Sequence, residues 1–227
     1  MTTLTIPSAT VHLARLRLAA RSRQVHRDLG DAARLHTTVQ SLFPDALGIA
    51  PRAATNTLFR VEREQSGASL LIQSTLPINR NALPAGYADS VEYRDLTPLL
   101  DWIEPDRIVR YRIDANPSNQ VRAPGTNQRG RRRPLFGSDA IAWWEQRARQ
   151  AGLHCALTLD IAQPPILASR GKAADGKDSK GVRLSAVRFE GVATVTDPDT
   201  LRAAITAGIG QGRAYGLGLL SIAPHQP

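Results

Sequence analysis

The order in which strand-like and helix-like segments follow one another in the second half of the chain constrains the fold more than any other feature. "RIVRYRIDANP" (residues 107–117) alternates apolar and polar side chains as a half-exposed strand does. "SDAIAWWEQRARQAG" (138–152) then reads as a helix, capped by Ser138 and stopped at Gly152. "HCALTLDIA" (154–162) and "VRLSAVRFEGVATV" (182–195) read as strands, "DPDTLRAAITAG" (197–208) as a capped helix and "LGLLSIAP" (217–224) as a closing strand. That β-α-β-β-α-β order is the ferredoxin-like one.

The first half repeats the opening of the same pattern. "TVHLARLRL" (10–18) predicts a strand, and Asp31 caps a helix whose apolar residues Leu35, Val39, Leu42 and Phe43 recur at helical spacing as far as Pro44. Two further strands, "NTLFRVERE" and "ASLLIQST", meet at a Ser66-Gly67 turn. Residues 77–105, with Pro77, Pro84, Gly86, Pro98 and Pro105, show no sustained period, so the boundary belongs near their end and a second helix is not visible. The expected fold class is α+β, two tandem ferredoxin-like (βαββαβ) domains over residues 1–100 and 105–227. A chain of 227 residues suits two such units.

Charge narrows the function classes that this fold leaves open. Lys and Arg number 29 against 20 Asp and Glu, a formal net charge of +9, and such a surface attracts polyanions. Composition alone does not separate nucleic acid from an anionic membrane. No run approaches the ~20 apolar residues of a membrane span, and "MTTLTIPSAT" lacks a signal peptide's basic start, so a cytoplasmic protein is expected. Cys155 is the single cysteine and the five histidines are dispersed, which leaves no metal-site spacing.

Three stretches are candidates for phosphate contact. The first is "GIGQGRAYGLG", where Gly208, Gly210, Gly212, Gly216 and Gly218 surround Arg213. It fits neither a dinucleotide fingerprint, since the helix precedes it and the strand follows, nor a Walker loop. Its glycines permit positive φ and close backbone approach, an anion-binding concavity, although a plain glycine-rich connection has the same composition. The second, "NQVRAPGTNQRGRRRPL", is loop-like and contains Arg131, Arg132 and Arg133 with no acid. The third, "SRGKAADGKDSKGVRLSAVR", is a long hairpin carrying Lys172, Lys177, Lys180 and Arg183. The second and third each read alone as a solvated loop; the three together favour a phosphate backbone. Aromatic residues are only 5% of the chain, too few for single-strand stacking platforms, which points to a folded, double-stranded element. His36 sits at the edge of the apolar stripe, where spacing alone reads it as a core-edge histidine.

In order, "RSRQVHRDLGDAARLHTTVQSLFPD", "LFRVE" with "LLIQS", "YRIDANP", "RGRRRPL", "VRFEGVATV" and "GIGQGRAYGLGLLSIAP" resemble the CasE family, the repeat-processing endoribonucleases of type I-E Cascade systems, from about Val11 to Pro224. The resemblance implies a metal-independent cut at the 3′ base of the CRISPR repeat hairpin, leaving a 2′,3′-cyclic phosphate. It implies no cofactor, a protein that is a monomer when isolated, and retention of the crRNA among the other Cascade subunits. The family's essential histidine matches His36, and a histidine titrating near neutrality can take the proton of an attacking 2′-hydroxyl. Arg213 matches a basic position of the family's glycine loop, and the hairpin from Lys172 to Arg183 resembles one that contacts the RNA stem. Many members carry a tyrosine three residues before the histidine where this chain has Ala33; Arg23, Arg27 and Tyr215 are candidates to replace it. Ala33 also leaves open a non-catalytic RNA-binding or assembly subunit of the same complex.

Overall fold

The structure, a computed structural model, describes residues 10–44, 54–121, 131–169 and 181–225. Two four-stranded antiparallel sheets dominate it. The first has strands β1 (His12–Leu18), β2 (Leu58–Glu64), β3 (Gly67–Ser74) and β4 (Ala88–Asp95) in the order β2-β3-β1-β4. The second has β5 (Ile108–Ala115), β8 (Leu153–Ala162), β11 (Val187–Val195) and β12 (Ser221–Pro224) in the order β12-β5-β11-β8. Numbered within its own sheet each runs 2-3-1-4 or its reverse, so the two units share one ferredoxin-like topology.

Alternation builds each sheet as the sequence predicts. In β1, Ala14, Leu16 and Leu18 turn inward while Arg15 and Arg17 face solvent. Helices α1 (Arg23–Gly30) and α2 (Ala32–Gln40) cover the inner face, where Val25, Leu35 and Val39 join Leu16, Phe59, Leu70 and Ile72 in one core. In the second unit α4 (Gly137–Gln150) and α5 (Pro198–Ala207) bury Trp144, Leu201 and Ile205 against Tyr111, Ile113 and Phe189.

The first unit departs from the regular plan where its sequence is least periodic. The basic stretch before Asp31 is the separate helix α1, which buries only Val25 and Asp28 and so carries too little apolar signal to read. In place of a second helix, a short 3₁₀ turn (Arg80–Ala82) leads to β4, an edge strand exposed along most of its length. Helix α3 (Thr97–Trp102) follows; Leu100, together with Ile103, packs into the core of the second unit. Two small ribbons extend that second unit. Strands β6 (Ser118–Val121) and β7 (Arg131–Pro134) pair with each other, so "RGRRRPL" is in part a strand and not a loop. Strand β9 (Ile166–Ala168) pairs with β10 (Val182–Leu184), splitting the predicted strand 182–195 in two.

Candidate functional site

Helix α2 is held rigidly from both ends. The Asp31 carboxylate accepts a hydrogen bond from the Ala33 N–H at 2.9 Å, the cap predicted from sequence. Ala32, Leu35, Thr38 and Val39 are buried, and His36, between them, stays partly exposed at the edge of that face. Asp28 of α1 clamps the arrangement, because its Oδ2 accepts from Thr38 Oγ1 and from Tyr87 Oη, both at 2.8 Å. Burial, reinforced by the Asp28 carboxylate, pushes the Tyr87 phenol above its ordinary range, so it remains a donor at neutral pH.

Against α2 packs the glycine-rich loop, through a 3₁₀ turn at Arg213–Tyr215. All five glycines there, Gly208, Gly210, Gly212, Gly216 and Gly218, have positive φ. Two of them show why no other residue serves. A Cβ on Gly208 would stand 2.6 Å from Leu58 Cδ2, and one on Gly218 would stand 2.5 Å from the Ile209 carbonyl oxygen. The loop is pinned to itself and to β5 by bonds from the Ile209 N–H to the Gly218 carbonyl (2.9 Å) and from the Gly218 N–H to the Asp114 carbonyl (2.7 Å). Arg213 lays its stem over Gly208 and Gly218 and donates to the Ala207 carbonyl at 2.7 Å, capping the C-terminal end of α5. That bond uses one of five guanidinium donors. Tyr215 lines a cleft of about 260 Å³ together with Asp28, Ala32 and Leu35, on the flank of the helix that carries His36.

The other basic candidates are spread around this centre. Arg23 and Arg27 are exposed on one side of α1, four residues apart. Arg131, Arg132 and Arg133 lie on β7; Arg132 and Arg133 are exposed, and Arg132 Nη1 donates to Gln211 Oε1 of the glycine loop, which joins two of the basic stretches. Arg183 is exposed on β10, whose partner β9 packs on α2. Lys172, Lys177 and Lys180 fall outside the described residues. Among the described residues no group of three or more His, Cys, Asp or Glu is placed to hold a metal ion. No described helix is long and apolar enough to cross a membrane.

Sequence reasoning missed the charge network that fixes this site between the two sheets. Arg60 of β2, 2% exposed, donates to the Leu219 carbonyl at 2.8 Å, the Arg112 carbonyl at 3.2 Å, Ser221 Oγ at 2.9 Å and Glu62 Oε1 at 2.8 Å. Glu62 Oε2 meets Arg188 Nη1 at 2.8 Å, and Arg188 grips Asp114 with both prongs at 2.7 and 2.9 Å. Burial raises the Glu62 carboxyl, but Arg60, Arg188 and Arg112 outweigh it and hold the group below the usual carboxylate range. Burial likewise drives the Arg60 guanidinium below its ordinary value, against the pull of Glu62 and Asp114, yet arginine stays charged at any working pH. The network joins β2 to β5, β11 and the segment entering β12, with Arg60 and Leu219 159 residues apart in the chain, and an Arg or Glu in a strand carries no sequence signal of burial.

The sequence model of the family described as "CRISPR associated protein" matches residues 11–224. The chain belongs to this family. It is 30% identical over 219 residues to the "CRISPR-associated endoribonuclease Cse3" of Thermus thermophilus, covering 93% of this chain and 99% of that protein. It is 29% identical over 208 residues to the "CRISPR system Cascade subunit CasE" of Escherichia coli, covering 86% and 92% respectively. Its fold superposes on the structure of "CRISPR endoribonuclease Cse3 bound to 19 nt RNA" with a TM-score of 0.80 and 28% identity, over 94% of this chain and all of the other. The two four-stranded sheets are thus the family's architecture.

Proposed function

We propose that the protein is an endoribonuclease that binds the stem-loop of CRISPR repeat RNA, cuts at its 3′ base and keeps the resulting crRNA as a subunit of a type I-E Cascade complex in the cytoplasm. The observation that carries this reading is the packing of the His36 helix against the glycine loop, on which Arg132 also docks, in a chain similar over 93% of its length to a relative named as an endoribonuclease. Residues 1–100 supply the base and residues 105–227 most of the cationic surface.

In the reaction as proposed, His36 removes the proton of the 2′-hydroxyl, and the 2′-oxygen bonds to the adjacent phosphorus. The bond from phosphorus to the 5′-oxygen breaks, that oxygen takes up a proton, and a 2′,3′-cyclic phosphate remains. Neither metal nor cofactor takes part. Arg23, Arg27, Arg131, Arg132, Arg133, Lys172, Lys177, Lys180, Arg183 and Arg213 neutralise phosphates of the stem, releasing counterions. The alternative, an RNA-binding assembly subunit without chemistry, rests on Ala33.

An end-labelled repeat RNA incubated with the protein in EDTA tests the reading. One cut is expected at the 3′ base of the hairpin, with a cyclic phosphate end, blocked by a 2′-deoxy substitution on the 5′ side of that bond. Tight binding of the hairpin without any product establishes the assembly-subunit alternative instead.

A further inference from the structure

Asp31 does more than cap a helix. Its Oδ1 accepts from two backbone N–H groups, Ala33 at 2.9 Å and Ser169 at 3.0 Å, and its Oδ2 accepts from the Ser169 hydroxyl. Ser169 directly follows β9, the strand of the β9–β10 ribbon that packs on α2 and whose other arm carries the exposed Arg183. One carboxylate therefore fastens the first turn of the His36 helix to the end of β9 from which the chain runs on toward β10, 138 residues away in the chain. A cap needs only one oxygen, so the second attachment asks for another explanation. Burial is the largest single influence and raises the Asp31 carboxyl, but the Ser169 bonds and the N–H groups of Ala33 and Arg34 together outweigh it and hold the group below the usual range. It is ionised wherever the protein is folded near neutrality.

We infer that Asp31 is a positioning residue for RNA cleavage, keeping the β9–β10 ribbon in register with the helix that presents His36. The inference rests on the cleavage reading above. If the ribbon grips the stem while α2 aims the base, the distance between them sets whether the 2′-oxygen, phosphorus and leaving oxygen fall in line. Slack at this joint moves the scissile phosphate relative to the imidazole without removing any contact with RNA.

The test uses Asp31→Ser, Asp31→Asn and Ser169→Ala in the full-length protein, read by single-turnover cleavage at saturating repeat RNA, dissociation constant and melting temperature. Serine still caps a helix but is one bond too short to hold Ser169, whereas asparagine keeps an oxygen for both N–H groups. A displacement of about 1 Å can cost about 100-fold in rate, so Asp31→Ser is expected to lower the saturated rate at least about 10-fold. Its affinity and melting temperature stay close to wild type, Asp31→Asn restores most of the rate, and Ser169→Ala, which leaves the cap and the residue-169 N–H bond intact and removes only the hydroxyl bond to Oδ2, loses rate in the same direction by a smaller factor. Ser169→Ala thus decides the matter even if Asp31→Ser fails to fold. A wild-type rate in Asp31→Ser or in Ser169→Ala, or a loss that appears only in affinity, overturns the inference while leaving the cleavage reading in place. A wild-type protein that does not cut overturns both.

Discussion

Replacing Arg60 by methionine tests whether the buried charge network holds the two sheets and the glycine loop together. The connected cluster is Arg60, Arg112 and Arg188 with Glu62, Asp114 and Glu190, three positive and three negative side chains, hence neutral. Arg60→Met keeps most of the volume but leaves the cluster at −1 and strips donors from the Leu219 and Arg112 carbonyls and from Ser221. Removing one partner of a buried pair costs about 3–5 kcal/mol. The lower half of that range applies, because Glu62 keeps Arg188 at 2.8 Å and Arg112 at 3.4 Å. At roughly 2–4 °C per kcal/mol for a chain of this size, the melting temperature should fall by about 6–16 °C in calorimetry. Adding Glu62→Gln returns the cluster to neutrality and should recover at least about 1 kcal/mol, a positive coupling in the double-mutant cycle. A fall of less than about 2 °C in Arg60→Met, or additive losses in the double variant, refutes the reasoning, since either means that Arg60 is not compensating buried charge.

Other expectations follow from the same geometry. Gly208→Ala forces a side chain to within 2.6 Å of Leu58 Cδ2 at a positive φ, so it should destabilise by about 1–3 kcal/mol and weaken hairpin binding, checked by denaturant melts and gel shifts. Arg132→Ala and Arg133→Ala, if these side chains meet phosphates, should each weaken binding of cognate and scrambled hairpins alike and flatten the plot of log K against log salt by about one unit of slope. For pH, Glu62 has a folded pKa below its unfolded one, so its stabilisation is complete above the unfolded carboxylate range and is lost as the pH falls through the lower folded value. Denaturant titrations from pH 7 down to pH 3 should therefore show a smaller acid loss in Glu62→Gln than in wild type; equal losses count against the assigned role.

The parts of the fold that were legible in the sequence are those whose residues report a period. Strand β1 shows its inward Ala14, Leu16 and Leu18, α4 its buried Ala140, Trp144 and Ala148, and α5 its Asp197 cap, whose carboxylate accepts from the Thr200 N–H at 3.0 Å. Helix α1 was not legible, because of its eight residues only Val25 and Asp28 are buried. Strand β4 was hidden for the complementary reason, an edge strand wet along most of its length between proline- and glycine-rich turns. In the site, the positive φ at the five glycines and the cap at Asp31 follow from local chemistry. The packing of the glycine turn on α2, the reach of Arg132 to Gln211 and the Arg60 network join positions far apart in the chain, and local periodicity carries no information about such partners.

The most direct test of the account compares wild type with His36→Ala on the same end-labelled CRISPR repeat RNA in EDTA, scoring both product and gel shift. The account predicts a single cut at the base of the hairpin by wild type, no product from His36→Ala, and hairpin affinity for the variant close to wild type. Cleavage by His36→Ala at the wild-type rate contradicts it.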